Sequence, residues 1–470
     1  MKHTPFNYDD LALLTVELPD SIKNLRYSGR FDHVLCEIDR LLADNTHPNY
    51  DPIMRKRLEL ERFLASGLAR DYQISFGDMV ENFREKYPNF TERNLNDLID
   101  SGHADFMIKS DGIYFENAAY SNLRECCGNY LRKLENPDFV PEPDFDEKHH
   151  ENMKIMRETG RHAWHYKIRE WICPDENNEH PGKHVRIWLP FPAITPEQSG
   201  IRLLESSHPV YITDGPIRTA YADFDYNPGD RLEITFEYTN TAVYHDLRES
   251  AATGDIPADV LPWLGEVEPH IVFTPYLKKL AAYLTDGTPN PLARARRIYD
   301  YVTEHVRYSY TREYRLFDNI PMYAALNGRG DCGVQALLFI TLCRIAGIPA
   351  RWQSGNAVHP PRGCRSGRVG SHDWALFYIA PYGWLHCDPS YGGGAKRDGD
   401  TDSWNWYFGN FDPYRYIACT EFQRQLDPPK TFMRLDPYDN QSGEIEYTDE
   451  CLSYADVNCS KKLLEAERLP

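Results

Sequence analysis

The sequence has no apolar run approaching the roughly 20 residues that span a bilayer. Its first twenty residues, MKHTPFNYDDLALLTVELPD, lack the charged-then-apolar order of a secretory leader. An excess of basic charge is missing as well. The formal net charge is −19, spread along the chain rather than gathered in one tail. Such a surface repels phosphate backbones and anionic lipid, so neither nucleic acid nor membrane is an expected partner. The eleven cysteines are odd in number and scattered, with Cys126 and Cys127 adjacent, so a disulfide framework is not expected. Free thiols and the missing leader pattern make the cytoplasm the expected location, with a leader already removed as the alternative.

What is present is ordinary globular material: 470 residues, 41% apolar and 26% charged. That length calls for two or three domains. Up to residue 135 the period is mostly helical, as in NLRYSGRFDHVLCEIDRLLAD and IMRKRLELERFLASGLARDY. FGDMVENFREKY and ERNLNDLIDSG follow, the latter with Thr91 placed as an N-cap and Gly102 as a stop. DFMIKSDGIYFE then reads as a hairpin turning at Asp111-Gly112.

Helix, helix, hairpin is also the order of winged-helix DNA-binding modules. Residues 75–120 carry four Lys or Arg against nine Asp or Glu, however, and DNA binding needs the opposite sign. The Pro- and acid-rich stretch 135–147 reads as a linker. Beyond it the period changes to two. AWHYKIREWI places Trp164, Tyr166, Ile168 and Ile172 on one face, and HVRIWLPFP and RLEITFEYTN continue the alternation. From about residue 260 helices and strands mix. The expected organisation is therefore α+β: a helical N-terminal domain over 1–140, an antiparallel β-sandwich-like domain over 155–255 and a mixed core over 260–425. A C-terminal tail over 426–470 shows no clear period, and the β domain is its one candidate packing partner.

The chemistry concentrates in NGRGDCGVQALLFITLCRIAGIPARW, residues 327–352. Asp331 is a favoured N-cap, so Cys332 belongs in the first turn of a helix that stops at Gly347 and Pro349. Val334, Leu337, Leu338, Ile340, Leu342 and Ile345 cover most of its circumference, which makes it a buried helix. The positive end of the helix dipole favours the thiolate there, and the thiolate is the reacting form. A nucleophile needs a base and a group to orient it. His372 opens one strand of SHDWALFYIAPYGWLHCDPSYGGG and Asp388 closes the next, across a turn at Pro381-Tyr382-Gly383. Adjacent strands run about 4.8 Å apart, so imidazole and carboxylate meet at the open end of that hairpin.

These blocks together, GDCGVQALLFITLCRIAGIPARW, HDWALFYI and GWLHCDPSY, resemble the bacterial transglutaminase-like core, a papain-related cysteine-enzyme fold. The likeness covers roughly 285–420, and VRIWLPFP resembles the β domain that often precedes such cores. It implies Cys332 as nucleophile, His372 as general base and acid, and Asp388 as the orienting carboxylate. It also implies amide chemistry through a thioester on a peptide or protein substrate. Water resolves the thioester in a peptidase or amidase and an amine does so in a transamidase; the resemblance favours the hydrolase. A catalytically silent peptide- or glycan-binding protein of the same fold is the third reading.

The pattern departs at the oxyanion hole. Animal transglutaminases use a Trp there, and none stands between Trp263 and Cys332. The backbone N–H of Cys332 supplies one donor, and VRYSYTREY offers Tyr308 or Tyr310 as the other. Arg362, Arg365 and Arg368 lie in NAVHPPRGCRSGRVGS, read as a loop beside the site, and are candidate binders of a substrate carboxylate or plain solvated arginines. No acidic calcium loop is evident. His149-His150 has no further ligand at a binding spacing, so both read as surface histidines. Neither metal nor cofactor is expected, and oligomeric state is open.

Overall fold

The computed structural model describes residues 6–43, 51–140, 147–360, 367–434 and 438–470. The helical spacing before residue 72 resolves into Asp20–Tyr27, Phe31–Ala43 and Pro52–Asp71. The first two are separate because Gly29 adopts φ +68° against the Ile108 carbonyl, where a Cβ would collide. Ser75 caps helix Phe76–Lys86, and Thr91 forms a capping box with Asn94 at the start of Glu92–Asp100. The hairpin Phe106–Lys109 and Gly112–Glu116 takes Tyr72–Ser75 as a third strand. Met79, Phe83, Phe90, Leu95 and Phe115 bury their side chains between these helices and the hairpin.

Helix Glu147–Thr159 leads into two four-stranded sheets packed face to face. Arg161–Pro174 pairs with Leu232–Val243, and Gln198–Ser206 lies beyond it. His184–Pro190 pairs with Thr219–Asp225 in the other sheet. The period-two face read from the sequence turns inward: Tyr166, Ile168 and Ile172 meet Val185, Ile187, Ile234 and Phe236. Each sheet takes one strand from the C-terminal tail. Glu444–Tyr447 pairs with His184–Pro190, and Val457–Arg468 with Arg161–Pro174.

His149 departs from the surface position expected of it. It is buried and stacks on Tyr407, with ring centroids 4.8 Å apart. His150 instead reaches Asp400 at 2.7 Å.

The core packs helices Pro275–Thr285, Pro291–His305, Ile320–Asn327 and Cys332–Ile345 against an antiparallel five-stranded sheet. Across that sheet the order is Phe408–Gly409, Gly383–Cys387, Arg368–Ile379, Ala350–His359 and Arg415–Cys419. The segment expected as a loop before His372 is strand at both its ends, 356–359 and 368–371, since pairing continues outward to His359 opposite Arg368. Arg362 and Arg365 lie outside the described residues. No helix among the described residues is long and apolar enough to cross a membrane.

Candidate active site

The nucleophile helix begins where the sequence places it. Asp331 accepts the Val334 N–H at 3.1 Å, and Cys332 is the first helical residue. The cap is itself held from the segment before the helix. Tyr314 donates its hydroxyl to Asp331 Oδ1 at 2.5 Å, and Thr311 reaches Oδ2 at 3.0 Å. Gly333 is required by close approach, because a Cβ there would collide with the Tyr314 hydroxyl and lie 2.7 Å from Asp373 Oδ2. The following residues, from Val334 to Cys343, are wholly enclosed. Removing the helix's apolar side chains from water anchors it and thereby fixes the position of its first turn.

His372 and Asp388 meet as the hairpin register predicts. Imidazole Nε2 lies 2.7 Å from Asp388 Oδ2, with both residues buried. The imidazole stacks on Tyr391 at 4.2 Å. The other carboxylate oxygen of Asp388 accepts the Ser390 hydroxyl and the Tyr391 N–H, each at 3.0 Å. Arg415 brings Nη1 to 3.1 Å from Oδ2, close enough to pair charge without hydrogen-bond alignment. Burial opposes ionisation of Asp388, but His372, Arg415 and these donors outweigh it and hold the carboxyl well below its usual range.

With Nε2 committed to Asp388, the imidazole has Nδ1 left for the thiol. Among the described residues no hydrogen bond joins the imidazole to Cys332 Sγ. The sulfur instead lies 3.5 Å from Asp373 Oδ2, and Asp373 Oδ1 accepts the Gln441 amide at 2.6 Å. Cys332 is only 8% exposed. Burial, followed by the charges of Asp373 and Asp331, pushes its thiol well above the ordinary range. The thiolate expected from the helix dipole is therefore disfavoured in the resting site. A dipole effect of about 0.3–1 kcal/mol does not offset desolvation and nearby carboxylates.

Of the two tyrosines considered for the oxyanion, Tyr308 is the one beside the nucleophile. A short parallel pairing sets Tyr308 opposite Gly330, two residues before Cys332. Its phenol is held protonated by burial, followed by the neighbouring Cys332 and Asp331. Tyr310 is 42% exposed and turns its hydroxyl to Glu125, 3.1 Å away. Arg368 opens the histidine strand, four residues before His372, with an exposed side chain. No group of three or more His, Cys, Asp or Glu among the described residues is placed to hold a metal ion.

Residues 278–389, which include Cys332, His372 and Asp388, match the model of the transglutaminase-like superfamily. This core is transglutaminase-like. The chain is similar to a candidate cysteine protease from Cytophaga hutchinsonii, at 16% identity and a TM-score of 0.37, over 66% of this chain and 90% of that one. It is also similar to the periplasmic domain of TgpA from Pseudomonas aeruginosa, at 14% identity and a TM-score of 0.27, over 51% of this chain and 92% of that one. The search of curated proteins found no match.

Around the transglutaminase-like core the structure adds residues that sequence reasoning missed. Asp373 sits inside the His-x-Trp block, and alternation along the strand gives it different partners from His372. Its acidic side chain, next to His372 and just before the apolar run WALFYI, was the signal available. Arg415 and Gln441 come from segments without a motif, and nothing local marks them.

Proposed function

We propose that the chain is a cysteine-dependent amide hydrolase, a peptidase or amidase, acting through a thioester on Cys332. The observation that carries this reading is the buried 2.7 Å bond between His372 and Asp388, in the same core as a cysteine opening a buried helix. Asp388 fixes the ring so that Nδ1 takes the Cys332 proton as the sulfur attacks the amide carbonyl. The backbone N–H of Cys332 and the Tyr308 hydroxyl receive the developing oxyanion. His372 then returns the proton to the departing amine, leaving the thioester. Water, activated by the same imidazole, releases the acid. An amine in place of water gives transamidation from the same intermediate.

The buried, proton-bearing thiol favours one second reading, a protein that binds without turnover. Acyl transfer from p-nitrophenyl acetate separates the two, with the acetylated cysteine located by peptide mass spectrometry. The hydrolase reading expects acetyl-Cys332 that turns over, and a loss of about 10²–10⁴-fold in His372→Ala. Acetylation of Cys332 no faster than that of the exposed Cys36 would move the binding reading ahead. Competition between water and an added primary amine then measures hydrolysis against transamidation.

A further inference from the structure

We propose that Asp373 is a positioning residue that restrains the Cys332 sulfur, and that Gln441 sets this restraint from the C-terminal segment. The inference deepens the proposed function by naming a control on its nucleophile, and it rests on that reading. Two consecutive residues of the histidine strand do different work. His372 turns to Asp388 and Tyr391, whereas Asp373 brings Oδ2 to 3.5 Å from Sγ at the helix N-terminus.

The far oxygen of Asp373 is tied to Gln441 Nε2 at 2.6 Å. Gln441 sits on a firmly held stretch. Tyr438 is buried against Tyr314 and Phe422 and bonds His270 at 2.5 Å. Asn440 reaches the Arg218 carbonyl at 2.8 Å, and strand Glu444–Tyr447 follows. The family-matched segment ends at residue 389, so this tie comes from outside it.

A carboxylate against the sulfur does two things. It accepts a hydrogen bond from the thiol S–H, which holds the side chain in one orientation, and its charge opposes formation of the thiolate. Among the described residues, the other groups facing the sulfur have partners of their own, as Asp373 has in Gln441, or are uncharged. Asp331 caps its own helix with the Thr311 and Tyr314 hydroxyls, and Asp388 is paired with His372 and Arg415. The phenols of Tyr308, Tyr314 and Tyr391 are held protonated, chiefly by burial. Asp373 is the carboxylate in contact with Sγ, and its charge stands first among those that raise the Cys332 thiol.

The test is the rate of Cys332 alkylation by iodoacetamide across pH, read by peptide mass spectrometry on the full chain, with near-UV circular dichroism to check folding. Asp373→Asn is expected to move the midpoint down by about one pH unit, which is roughly tenfold faster labelling at neutral pH. Gln441→Ala is expected to move it the same way by less, and to add nothing in the Asp373→Asn background. A folded Asp373→Asn with the wild-type profile overturns the proposal, as does a Gln441→Ala shift of equal size in both backgrounds. If Asp373→Asn does not fold, Gln441→Ala decides alone, and an unshifted profile overturns it. Alkylation needs no turnover, so the two readings fail separately. A shifted profile without acyl transfer sinks the hydrolase and keeps the restraint; intact acyl transfer with an unshifted profile does the reverse.

Discussion

Arg415 has no exposed surface, and carboxylates and aromatic rings hold its charge in place. It grips Asp412 through Nε and Nη2 at 3.2 and 2.7 Å, faces Asp388 with Nη1, and lies 4.5 Å over the Phe411 ring. Replacing it by Met leaves two buried carboxylates without their cation. Breaking a buried pair in this way costs about 3–5 kcal/mol. Both carboxylates sit below the usual range despite burial: Asp388 because His372, and after it Arg415, outweigh the burial, and Asp412 because Arg415 does. A depressed carboxyl contributes stability above its unfolded pKa and loses it as pH falls through the folded value. Denaturant unfolding of Arg415→Met should therefore show the largest deficit at neutral pH, narrowing in acid; a deficit constant with pH would separate Arg415 from both carboxylates. The contrast with Cys332, His372 and Asp388 is instructive. Each of those stands in a local pattern that carries its own meaning: the first residue after an N-cap, the head of an apolar strand run, the residue just past a strand. Arg415 acts from a distant strand, and no spacing in the sequence connects it to the site.

At the scale of elements, short-range periodicity was a good guide and solvent exposure a poorer one. The nucleophile helix, the hairpin at Asp111-Gly112 and the inward face of Arg161–Pro174 all follow from local pattern. Helix Glu147–Thr159 shows where that guide stops. With no further ligand at a binding spacing, His149 reads as a surface residue, yet Tyr407, more than 250 residues on, covers the ring. Burial there pushes His149 down to about 4, and burial likewise lowers His162, in the next strand, to about 4. An unfolded histidine titrates near 6.5, so between that pH and about 4 the unfolded chain binds more protons. Stability should fall as pH drops through this window. His149→Gln should flatten the decline, as followed by urea midpoints from pH 7 to 4.5; an unchanged slope would show that His149 does not set it.

For the whole molecule, the tail is the part that local reading served least. VNCSKKLLEAER alternates weakly and exposes much of one face, so it resembles solvated chain rather than a strand. Its partner Arg161–Pro174 lies almost 300 residues earlier, and only the finished fold makes the pairing visible. A chain ending after Leu452 should lose this strand and leave the backbone N–H and C=O groups of Arg161–Pro174 unpaired along one edge. Such edges template aggregation. The truncated chain should elute in larger species on size exclusion and melt several degrees lower; a monomer with the full-length melting profile would show the last strand to be dispensable.

The same closing strands set an order of events. Synthesis runs from the N-terminus, and domains fold as they emerge. Both sheets of the sandwich wait for residues 444–447 and 457–468, and Gln441 emerges only just ahead of them. The sulfur-bearing helix is therefore translated well before the residues that complete its surroundings. Contacts so far apart in sequence also make folding slow. During that interval Cys332 is a nascent thiol without its finished enclosure. The burial of Cys332 is thus expected to be complete only once residues 441–468 are in place, and stalling translation within them should yield chains whose Cys332 is open to small oxidants.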